Sequence, residues 1–382
     1  MTIAIIINTT WNIYNFRLEL LKALREEGYY VICIAPYDRY ADLLKEEGFE
    51  YHHIEMDNKG TNPIEDLKLT YQYYKLFRKL KPNLVLAYTI KPNIYGSVVS
   101  RLLKIPTIST ITGLGTVFLN NNLSSKLARW MYKKALVKNK VFFQNRSDMA
   151  LFISNHIVKE SQSDLISGSG INTEKFKTSK PLPHQENVTF LMISRLLKDK
   201  GLIEYIEAIR LVKKEYPNTS FKLLGDLYTQ NPTAIQEEEL KSWIQEGIIE
   251  YLGYKDDVKS EIEKADIVVL PSYREGLSRV LLEAASLERP IITTNVPGCK
   301  DVVKDKKNGY LCHAKDINDL KDKMIDMISL PYKERVKMGK YGREKVIQEF
   351  DKEIVIKKYL KTIKELSTFS TQNNPDGSPQ NP

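Results

Sequence analysis

Residues 271–284 read PSYREGLSRVLLEA, and they directly follow the apolar residues IVVL at 267–270. The apolar run predicts a buried strand, which Pro271 ends because proline has no N–H group to donate to a neighbouring strand. Gly276 allows a tight turn, and Ser278 is in position to cap a helix that runs to about residue 286. The stretch therefore predicts a strand, a loop and a helix, which together are the repeating unit of a parallel α/β sheet.

Two acidic residues in this stretch lie eight positions apart, Glu275 in the loop and Glu283 in the predicted helix. Eight helical residues rise about 12 Å, so the two carboxylates could hold a ligand as long as a nucleoside diphosphate at two points. Free N–H groups at the start of the helix favour an anion between them. An isolated pair of acids with this spacing is more often a surface feature of an amphipathic helix, so the flanking residues decide the interpretation.

With its flanks, Pro-Ser-Tyr before the first acid and Val-Leu-Leu before the second, the stretch resembles the E-x7-E signature of the retaining glycosyltransferases of family 4. The resemblance implies the GT-B fold, in which two doubly wound parallel-sheet domains face each other across a cleft. It also implies that Glu275 contacts the sugar of a nucleotide-sugar donor and that Glu283 binds the ribose hydroxyl groups. The backbone N–H groups of Gly276 and Leu277 would then lie beside the diphosphate.

A basic loop follows the first predicted strand of the C-terminal half and contains Ser194, Arg195 and Lys200. Arginine and lysine can converge on one anion, the first as a planar fork and the second as a point charge. In the family, such a pair followed by glycine binds the donor diphosphate, so the resemblance assigns this role to Arg195 and Lys200, with Ser194 beside them. By the same resemblance, Tyr254 faces the nucleobase. No metal and no other cofactor is expected, because helix N–H groups and basic side chains neutralise the leaving diphosphate.

Composition and charge limit the classes of protein. The 382 residues are 42% hydrophobic and carry a net charge of +9, which indicates two soluble domains with a field that favours anionic partners. The three cysteines form no disulfide framework, which favours a reducing compartment. We see no signal peptide, and no apolar run reaches the ~20 residues of a membrane span. These features predict a cytoplasmic protein, peripherally associated with the cytoplasmic membrane.

Short apolar runs alternate with helical patterns along the chain, which predicts parallel sheets with ligands beyond the carboxyl ends of the strands. A polar segment with two prolines, residues 175–187, interrupts this alternation and is the predicted linker. We therefore predict an acceptor-binding domain at 1–175 and a nucleotide-sugar domain at 188–350. The last predicted helix, 351–366, is expected to pack back on the first domain. The polar tail 367–382 is expected to be disordered.

The candidate contacts for the acceptor follow predicted strands of the N-terminal half, and they are Arg17, Lys91, Thr112, Gly113 and Gly115. For Arg17, a surface arginine on a first helical turn is an equally good explanation. Many family members have a Gly-Gly pair in the first loop and a histidine at position 112; this chain has neither, so we assign no protein base there. The segment 88–118 resembles a bacterial subgroup that extends lipid-linked saccharides. This implies a UDP-N-acetylhexosamine donor, with GalNAc favoured, and a polyprenyl-diphosphate-linked saccharide acceptor.

The segment 124–139 combines apolar residues at helical spacing with a basic face. Its candidate membrane contacts are Lys126, Arg129, Trp130, Lys133 and Lys134. A basic amphipathic helix with a tryptophan can lie in the headgroup plane of an anionic inner membrane. A sheet-covering helix with a solvated basic face would show the same pattern, and both interpretations stay open at this point.

Two other classes of protein share parts of the pattern. A UDP-N-acetylglucosamine 2-epimerase has the same two-domain architecture, but we can assign no counterparts of its histidine and carboxylate acid–base groups. A non-catalytic basic module that binds a membrane would explain the net charge, but it would not explain Glu275 and Glu283. A nucleic-acid partner is not expected, because basic and aromatic residues do not alternate on a recognised nucleic-acid-binding fold.

Overall fold

The computed structural model describes residues 1–57, 62–114, 123–183, 187–227, 231 and 233–372. The chain forms two compact units: unit 1 comprises Met1–Gly170 and Lys352–Pro382, and unit 2 comprises Ile171–Asp351. Each unit is built on one β-sheet, and all the strand pairs of both sheets are parallel. The predicted α/β class with two parallel-sheet domains is therefore confirmed.

The sheet of unit 1 has seven strands. They are β1 (Thr2–Ile6), β2 (Tyr30–Ala35), β3 (Glu50–His53), β4 (Leu84–Tyr88), β5 (Thr107–Ile111), β6 (Lys140–Phe143) and β7 (Ser163–Leu165). Their order in the sheet is β3-β2-β1-β4-β5-β6-β7. Every residue of β4 and β5 is buried, as expected for central parallel strands that are covered on both faces. The winding reverses between β1 and β4, and ligands of doubly wound sheets bind at the carboxyl ends of such strands.

Helices cover both faces of this sheet. They are α1 (Thr10–Glu26), α2 (Tyr40–Glu46), α3 (Pro63–Leu80), a π-helical turn (Pro92–Gly96), α4 (Ser97–Leu102), α5 (Leu123–Ala135), α6 (Arg146–Ser154) and, at the end of the chain, α13 (Lys352–Gln372). Apolar residues of α1, α2 and α13 share one core with one face of the sheet. Those of α3, α4, α5 and α6 pack on the opposite face. The C-terminal helix is therefore an integral part of unit 1.

The sheet of unit 2 has six strands in the order β10-β9-β8-β11-β12-β13. The strands are β8 (Thr189–Ile193), β9 (Ser220–Leu224), β10 (Glu250–Tyr251), β11 (Ile267–Leu270), β12 (Ile291–Thr294) and β13 (Gly309–Cys312). The helices are α7 (Leu202–Glu215), α8 (Glu237–Gln245), α9 (Lys259–Lys264), α10 (Arg279–Ser286), α11 (Ile317–Ser329) and α12 (Tyr332–Glu349). One continuous apolar core joins this sheet to its helices.

The start of unit 2 differs from the predicted linker at 175–187. The N–H group of Ile171 donates to the carbonyl oxygen of Phe350 at 2.9 Å. Phe176 is buried in the core of unit 2, and the Ser286 hydroxyl donates to its carbonyl oxygen at 2.8 Å. The first part of the predicted linker is therefore packed into unit 2.

The end of the chain also differs from its prediction. Because α13 extends to Gln372, residues 367–372 are helical, although they were predicted to start the disordered tail. The rest of the predicted tail lies outside the described residues.

Candidate active site

Three loops meet at the carboxyl edge of the unit 2 sheet. The loop after β11 lies between the loops that follow β8 and β12. The N–H group of Tyr273 donates to the carbonyl oxygen of Asp199 at 2.9 Å, and that of Glu275 donates to the carbonyl oxygen of Pro297 at 3.1 Å. These backbone hydrogen bonds hold the loop from 271 to 278 in a defined position.

Two glycines allow the loops to approach this closely. Gly201 and Gly298 have φ angles of 74° and 79°, which L-residues with side chains rarely adopt. A Cβ atom at Gly201 would lie 2.1 Å from the carbonyl oxygen of Pro271. One at Gly298 would lie 2.4 Å from the carbonyl oxygen of Glu275. Glycine at both positions therefore places Lys200 and Glu275 on adjoining loops.

Lys200 and Glu275 form an ion pair, which brings together two of the predicted catalytic residues. The Lys200 Nζ atom donates to the Glu275 Oε1 atom at 2.5 Å. Both side chains are 16% exposed, so the pair is shielded from water yet still reachable from the sheet edge. An ammonium group held here can approach a bound anion without first being ordered.

Cys299 is buried close enough to this pair for the charges of both residues to act on its thiol. Burial, together with the negative charge of Glu275, raises the pKa of the Cys299 thiol to about 12. The thiol therefore stays protonated at neutral pH and is a packing residue rather than a nucleophile.

Glu283 is buried on α10, and Arg279, one helical turn before it, holds its carboxylate. The Arg279 Nε atom donates to the Glu283 Oε1 atom at 2.9 Å. Burial raises the pKa of Glu283, although the charges of Arg279 and Lys175 act in the opposite direction. The carboxylate is thus poorly hydrated, and hydrogen bonds donated by a ligand would stabilise its charged form.

The N-terminus of α10 adds backbone donors at the same edge. The helix begins at Arg279 with Ser278 as its N-cap residue, as predicted, but the Ser278 side chain makes no capping hydrogen bond. The Ser278 hydroxyl group therefore accepts no hydrogen bond from the N–H groups of the first turn. The helix dipole favours an anion at this position. Gly276 is buried, and Leu277 packs partly against the core of unit 2.

The other predicted donor contacts occupy neighbouring loops. Arg195 follows β8 on the same loop as Lys200, and its side chain is exposed. The buried Ser194 Oγ atom has no hydrogen-bond partner among the described residues. Tyr254 exposes 52% of its surface, and its hydroxyl group donates to the Asp256 Oδ1 atom at 2.8 Å. Arg195, Ser194 and Tyr254 stay predicted contacts of the donor.

One group of side chains at this edge was not found by sequence reasoning. The Tyr273 hydroxyl group donates to the Glu204 Oε1 atom at 2.6 Å, and the Lys315 Nζ atom lies 4.7 Å from the centroid of the Tyr273 ring. Glu204 lies 69 positions before Tyr273 in the chain, so no local pattern joins them. The group anchors the loop that carries Glu275.

Arg17 lies in unit 1 and is buried, so the alternative of a surface arginine on a first helical turn is wrong. It lies well inside α1, because Thr9 caps that helix and moves its start to Thr10. The guanidinium carbon lies 4.5 Å from the centroid of the Tyr88 ring, and the Nη1 atom donates to the Phe16 carbonyl oxygen at 3.0 Å. Among the residues that the structure describes, no carboxylate forms an ion pair with this cation.

Lys91 follows β4 and is paired with an acid of α3. The Lys91 Nζ atom donates to the Asp66 Oδ1 atom at 2.7 Å, and the Tyr95 hydroxyl group donates to the Asp66 Oδ2 atom at 2.7 Å. Thr112 and Gly113 follow β5 at the same edge of the sheet. Gly115, the remaining predicted acceptor contact, lies outside the described residues.

Helix α5 has the predicted combination of basic and apolar residues on its surface. Trp130 is 58% exposed and Leu127 is 55% exposed. Three of the predicted basic contacts are exposed as well, namely Lys126, Lys133 and Lys134. Arg129 is partly buried. Within the described part of the chain, no helix is both long and apolar enough to cross a bilayer.

Comparisons with known proteins agree with this architecture. A family model described as glycosyl transferase 4-like matches residues 2–145, and one described as glycosyl transferases group 1 matches residues 172–345. The chain is 28% identical over 367 residues to the N,N'-diacetylbacillosaminyl-diphospho-undecaprenol alpha-1,3-N-acetylgalactosaminyltransferase of Campylobacter jejuni, covering 92% of this chain and 95% of that protein. It is 26% identical over 307 residues to the UDP-Gal:alpha-D-GlcNAc-diphosphoundecaprenol alpha-1,3-galactosyltransferase of Escherichia coli, covering 75% and 76%.

A solved structure, a glycosyltransferase of Rickettsia africae, matches with a TM-score of 0.77 at 20% identity, covering 95% of this chain and 98% of that one. Two parallel-sheet α/β units with this likeness define the GT-B class. The chain belongs to the glycosyltransferases, with a glycosyl transferase 4-like domain followed by a group 1 domain. The resemblance read from the sequence is confirmed.

Proposed function

We propose that the protein transfers an N-acetylhexosamine, with GalNAc favoured, from a UDP-sugar to a polyprenyl-diphosphate-linked saccharide during bacterial glycan assembly. The Campylobacter relative is named for GalNAc transfer to an undecaprenol-linked sugar, and the Escherichia coli relative for galactose transfer from UDP-Gal. The observation that carries the proposal is the Lys200–Glu275 contact of 2.5 Å beside the N-terminus of α10. A cation paired with the loop that leads into helix N–H groups supports the binding of a sugar diphosphate at this edge.

In this proposal, the diphosphate of the donor binds at the carboxyl edge of the unit 2 sheet. Arg195 and Lys200 stabilise the negative charge that develops on the leaving UDP, together with the N–H groups of Gly276 and Leu277. The free hydroxyl group of Ser194 adds a hydrogen bond. Basic side chains and the helix dipole then neutralise the leaving group, so we expect turnover without a divalent metal.

The two acids hold the ends of the donor. Glu283 accepts hydrogen bonds from the ribose hydroxyl groups, which would offset the cost of burying its carboxylate. Glu275 contacts the donor sugar and holds the Lys200 ammonium group in place. Tyr254 contributes to the nucleobase contact.

We infer transfer with retention of the anomeric configuration. The acceptor hydroxyl oxygen attacks the anomeric carbon on the same face that the UDP leaves. The new carbon–oxygen bond forms as the bond to the β-phosphate oxygen breaks, and this phosphate oxygen takes the hydroxyl proton. Such a step needs no protein base, in agreement with the threonine at position 112.

Unit 1 takes the acceptor. The Arg17 cation supports this role, because a buried charge that pairs with no carboxylate among the described residues favours a bound anion such as the acceptor's diphosphate. Lys91 is the second candidate cation, already oriented by Asp66. The remaining proposed contacts are in the loop after β5 and comprise Thr112, Gly113 and Gly115.

We also propose that α5 rests on the anionic cytoplasmic surface of the membrane that holds the acceptor. The helix has no acidic residue, and Trp130 is exposed among Lys126, Arg129, Lys133 and Lys134. Each basic residue near an anionic leaflet contributes about 1 kcal/mol, so this one helix would suffice for reversible docking.

Incubation of the purified protein with labelled UDP-GalNAc, UDP-GlcNAc and UDP-galactose, with and without a polyprenyl-diphosphate disaccharide, tests the proposal. We expect label in the lipid fraction, dependent on the acceptor and unaffected by EDTA. Free epimerised sugar formed without an acceptor would instead indicate the epimerase class. Absence of sugar turnover with every donor would contradict the proposal.

A further inference from the structure

The outer face of α3 exposes three large apolar side chains. Ile64, Leu67 and Tyr71 are 67%, 71% and 56% exposed, and their spacing of three and four residues places them on one stripe. The opposite face of the helix is also apolar and packs into the core of unit 1 through Leu69, Tyr73 and Phe77. Because α3 packs into the core through its inner face, its outer apolar stripe is not needed to hold the helix in unit 1.

The stripe continues into basic residues toward the end of α3. The Lys75 Nζ atom lies 4.9 Å from the centroid of the Tyr71 ring, and Arg78 is exposed one turn later. The acids of this helix are already paired. Glu65 accepts a hydrogen bond from Lys68 at 2.9 Å, and Asp66 is held by Lys91. The outer face is therefore apolar at one end and positively charged at the other.

This face lies in the same helical layer as α5. Both helices pack on the same side of the sheet and flank the π-helical turn Pro92–Gly96. Each follows a strand and returns the chain toward the start of the next parallel strand, so its N-terminal half lies near the carboxyl edge. Ile64, Leu67 and Tyr71 of α3 and Leu127 of α5 thus lie toward the same edge, which is also the edge of Lys91, and Trp130 follows Leu127 by about one helical turn.

The exposed apolar residues are concentrated in unit 1. In the described part of unit 2, the large apolar side chains that are exposed are Ile244, Tyr254 and Ile347. These three come from separate elements, α8, the loop after β10, and α12. They form no helical stripe, so variants at these positions can serve as controls for variants of the α3 face.

We propose that the outer face of α3 is a second membrane contact, with Ile64, Leu67 and Tyr71 inserted at the headgroup boundary of an anionic bilayer. Lys75 and Arg78 meet the lipid phosphates. Neither forms an ion pair with a carboxylate among the described residues, and Arg78 donates only to the Tyr74 hydroxyl group, so an apolar stripe beside these cations matches such a surface. The inference rests on the proposed function, which supplies the reason for a bilayer. Contact through two helices rather than one sets the orientation and turns the carboxyl edge of unit 1 toward the lipid-linked acceptor.

The test is flotation of the full chain with vesicles of phosphatidylcholine, with and without phosphatidylglycerol. The double variant Ile64→Ser/Leu67→Ser removes the centre of the stripe. Its control, Ile244→Ser/Ile347→Ser, removes two apolar side chains from unit 2 that are 42% and 45% exposed. We expect the α3 variant to bind phosphatidylglycerol vesicles at least about tenfold more weakly than the control, from the apolar area that it no longer buries. Circular dichroism checks that both variants are folded.

Equal vesicle binding by the two variants would overturn the inference. Wild-type protein that does not bind the vesicles would also overturn it, and this result is expected if a protein partner covers the face. Transfer assays separate this outcome from failure of the proposed function. We expect the α3 variant to lose several-fold more activity on an acceptor embedded in vesicles than on one in detergent. A wild-type protein that binds vesicles through α3 but transfers no sugar would refute the proposed function and leave the membrane contact intact.

Discussion

Lys200→Ala removes the cation that we place on the leaving diphosphate. A single preorganised donor at a developing oxyanion contributes about 2.7–4 kcal/mol to transition-state stability, which corresponds to a loss of about 100- to 1000-fold in kcat. The same change leaves the Glu275 carboxylate without its partner. Breaking a fully buried pair costs about 3–5 kcal/mol and an exposed pair about 0–1 kcal/mol, so a pair at 16% exposure should lose about 2 kcal/mol of stability.

Two variants separate the effect on catalysis from the effect on stability. Lys200→Met/Glu275→Gln removes both charges and should recover most of the lost unfolding free energy while turnover stays low. Lys214→Ala, at an exposed position of α7, is the matched control for a lost lysine and should retain wild-type turnover. The assay is single-turnover transfer from a labelled UDP-sugar, with unfolding midpoints measured in parallel. A kcat for Lys200→Ala within a few-fold of the control would refute the reasoning.

Three further variants test other parts of the site. Gly298→Ala should lower the free energy of unfolding by about 1–3 kcal/mol, because its Cβ would lie 2.4 Å from the Glu275 carbonyl oxygen at a positive φ; an unchanged denaturation midpoint would contradict this contact. Glu283→Gln should weaken UDP binding by about tenfold or more, through loss of hydrogen bonds to a charged acceptor. Burial raises the pKa of Glu283, so its carboxylate should become neutral at a higher pH than an ordinary glutamate does. UDP affinity should therefore fall as the pH is lowered through this range. Calorimetric titrations should show this contribution of Glu283 in the wild type and not in the Gln variant. Lys91→Met should raise the KM for the acceptor several-fold and leave the KM for the donor unchanged, and an unaltered acceptor KM would remove Lys91 from the site.

The elements around the site could be predicted from the sequence where they depend on neighbouring residues. The strand at Ile267–Leu270 has the predicted bounds, and α10 ends at Ser286 as expected. Continuous apolar residues, a proline stop and a cap position act within a few residues of each other, so a local pattern is sufficient. The resemblance, and not a local pattern, assigned Lys200 and Glu275 to one donor site, and the ion pair between them was not predicted.

The short elements β3, β7 and α6 give only weak signals in the sequence. β3 and β7 form the two edges of the unit 1 sheet and are only partly buried, so they lack the apolar runs that reveal central strands. Only two residues of α6, Asp148 and Phe152, are buried, which gives a weak helical pattern.

Other features depend on residues that are far apart in the chain. Arg17 is buried because Tyr88 and α13 pack around it, and no local signal separates such an arginine from one on a surface. The close approach of Gly201 to Pro271 and the Tyr273–Glu204 hydrogen bond likewise become visible only when the loops are assembled. For the same reason, the predicted linker gave no sign that Phe176 would enter the core of unit 2.

The most direct measurement is a crystal structure of the protein with UDP. We expect the β-phosphate at about 3 Å from the Lys200 Nζ atom and from an N–H group at the start of α10, with the ribose hydroxyl groups on Glu283. UDP bound elsewhere on unit 2, or with its phosphates away from both Lys200 and α10, would contradict the donor site on which the proposed transfer depends.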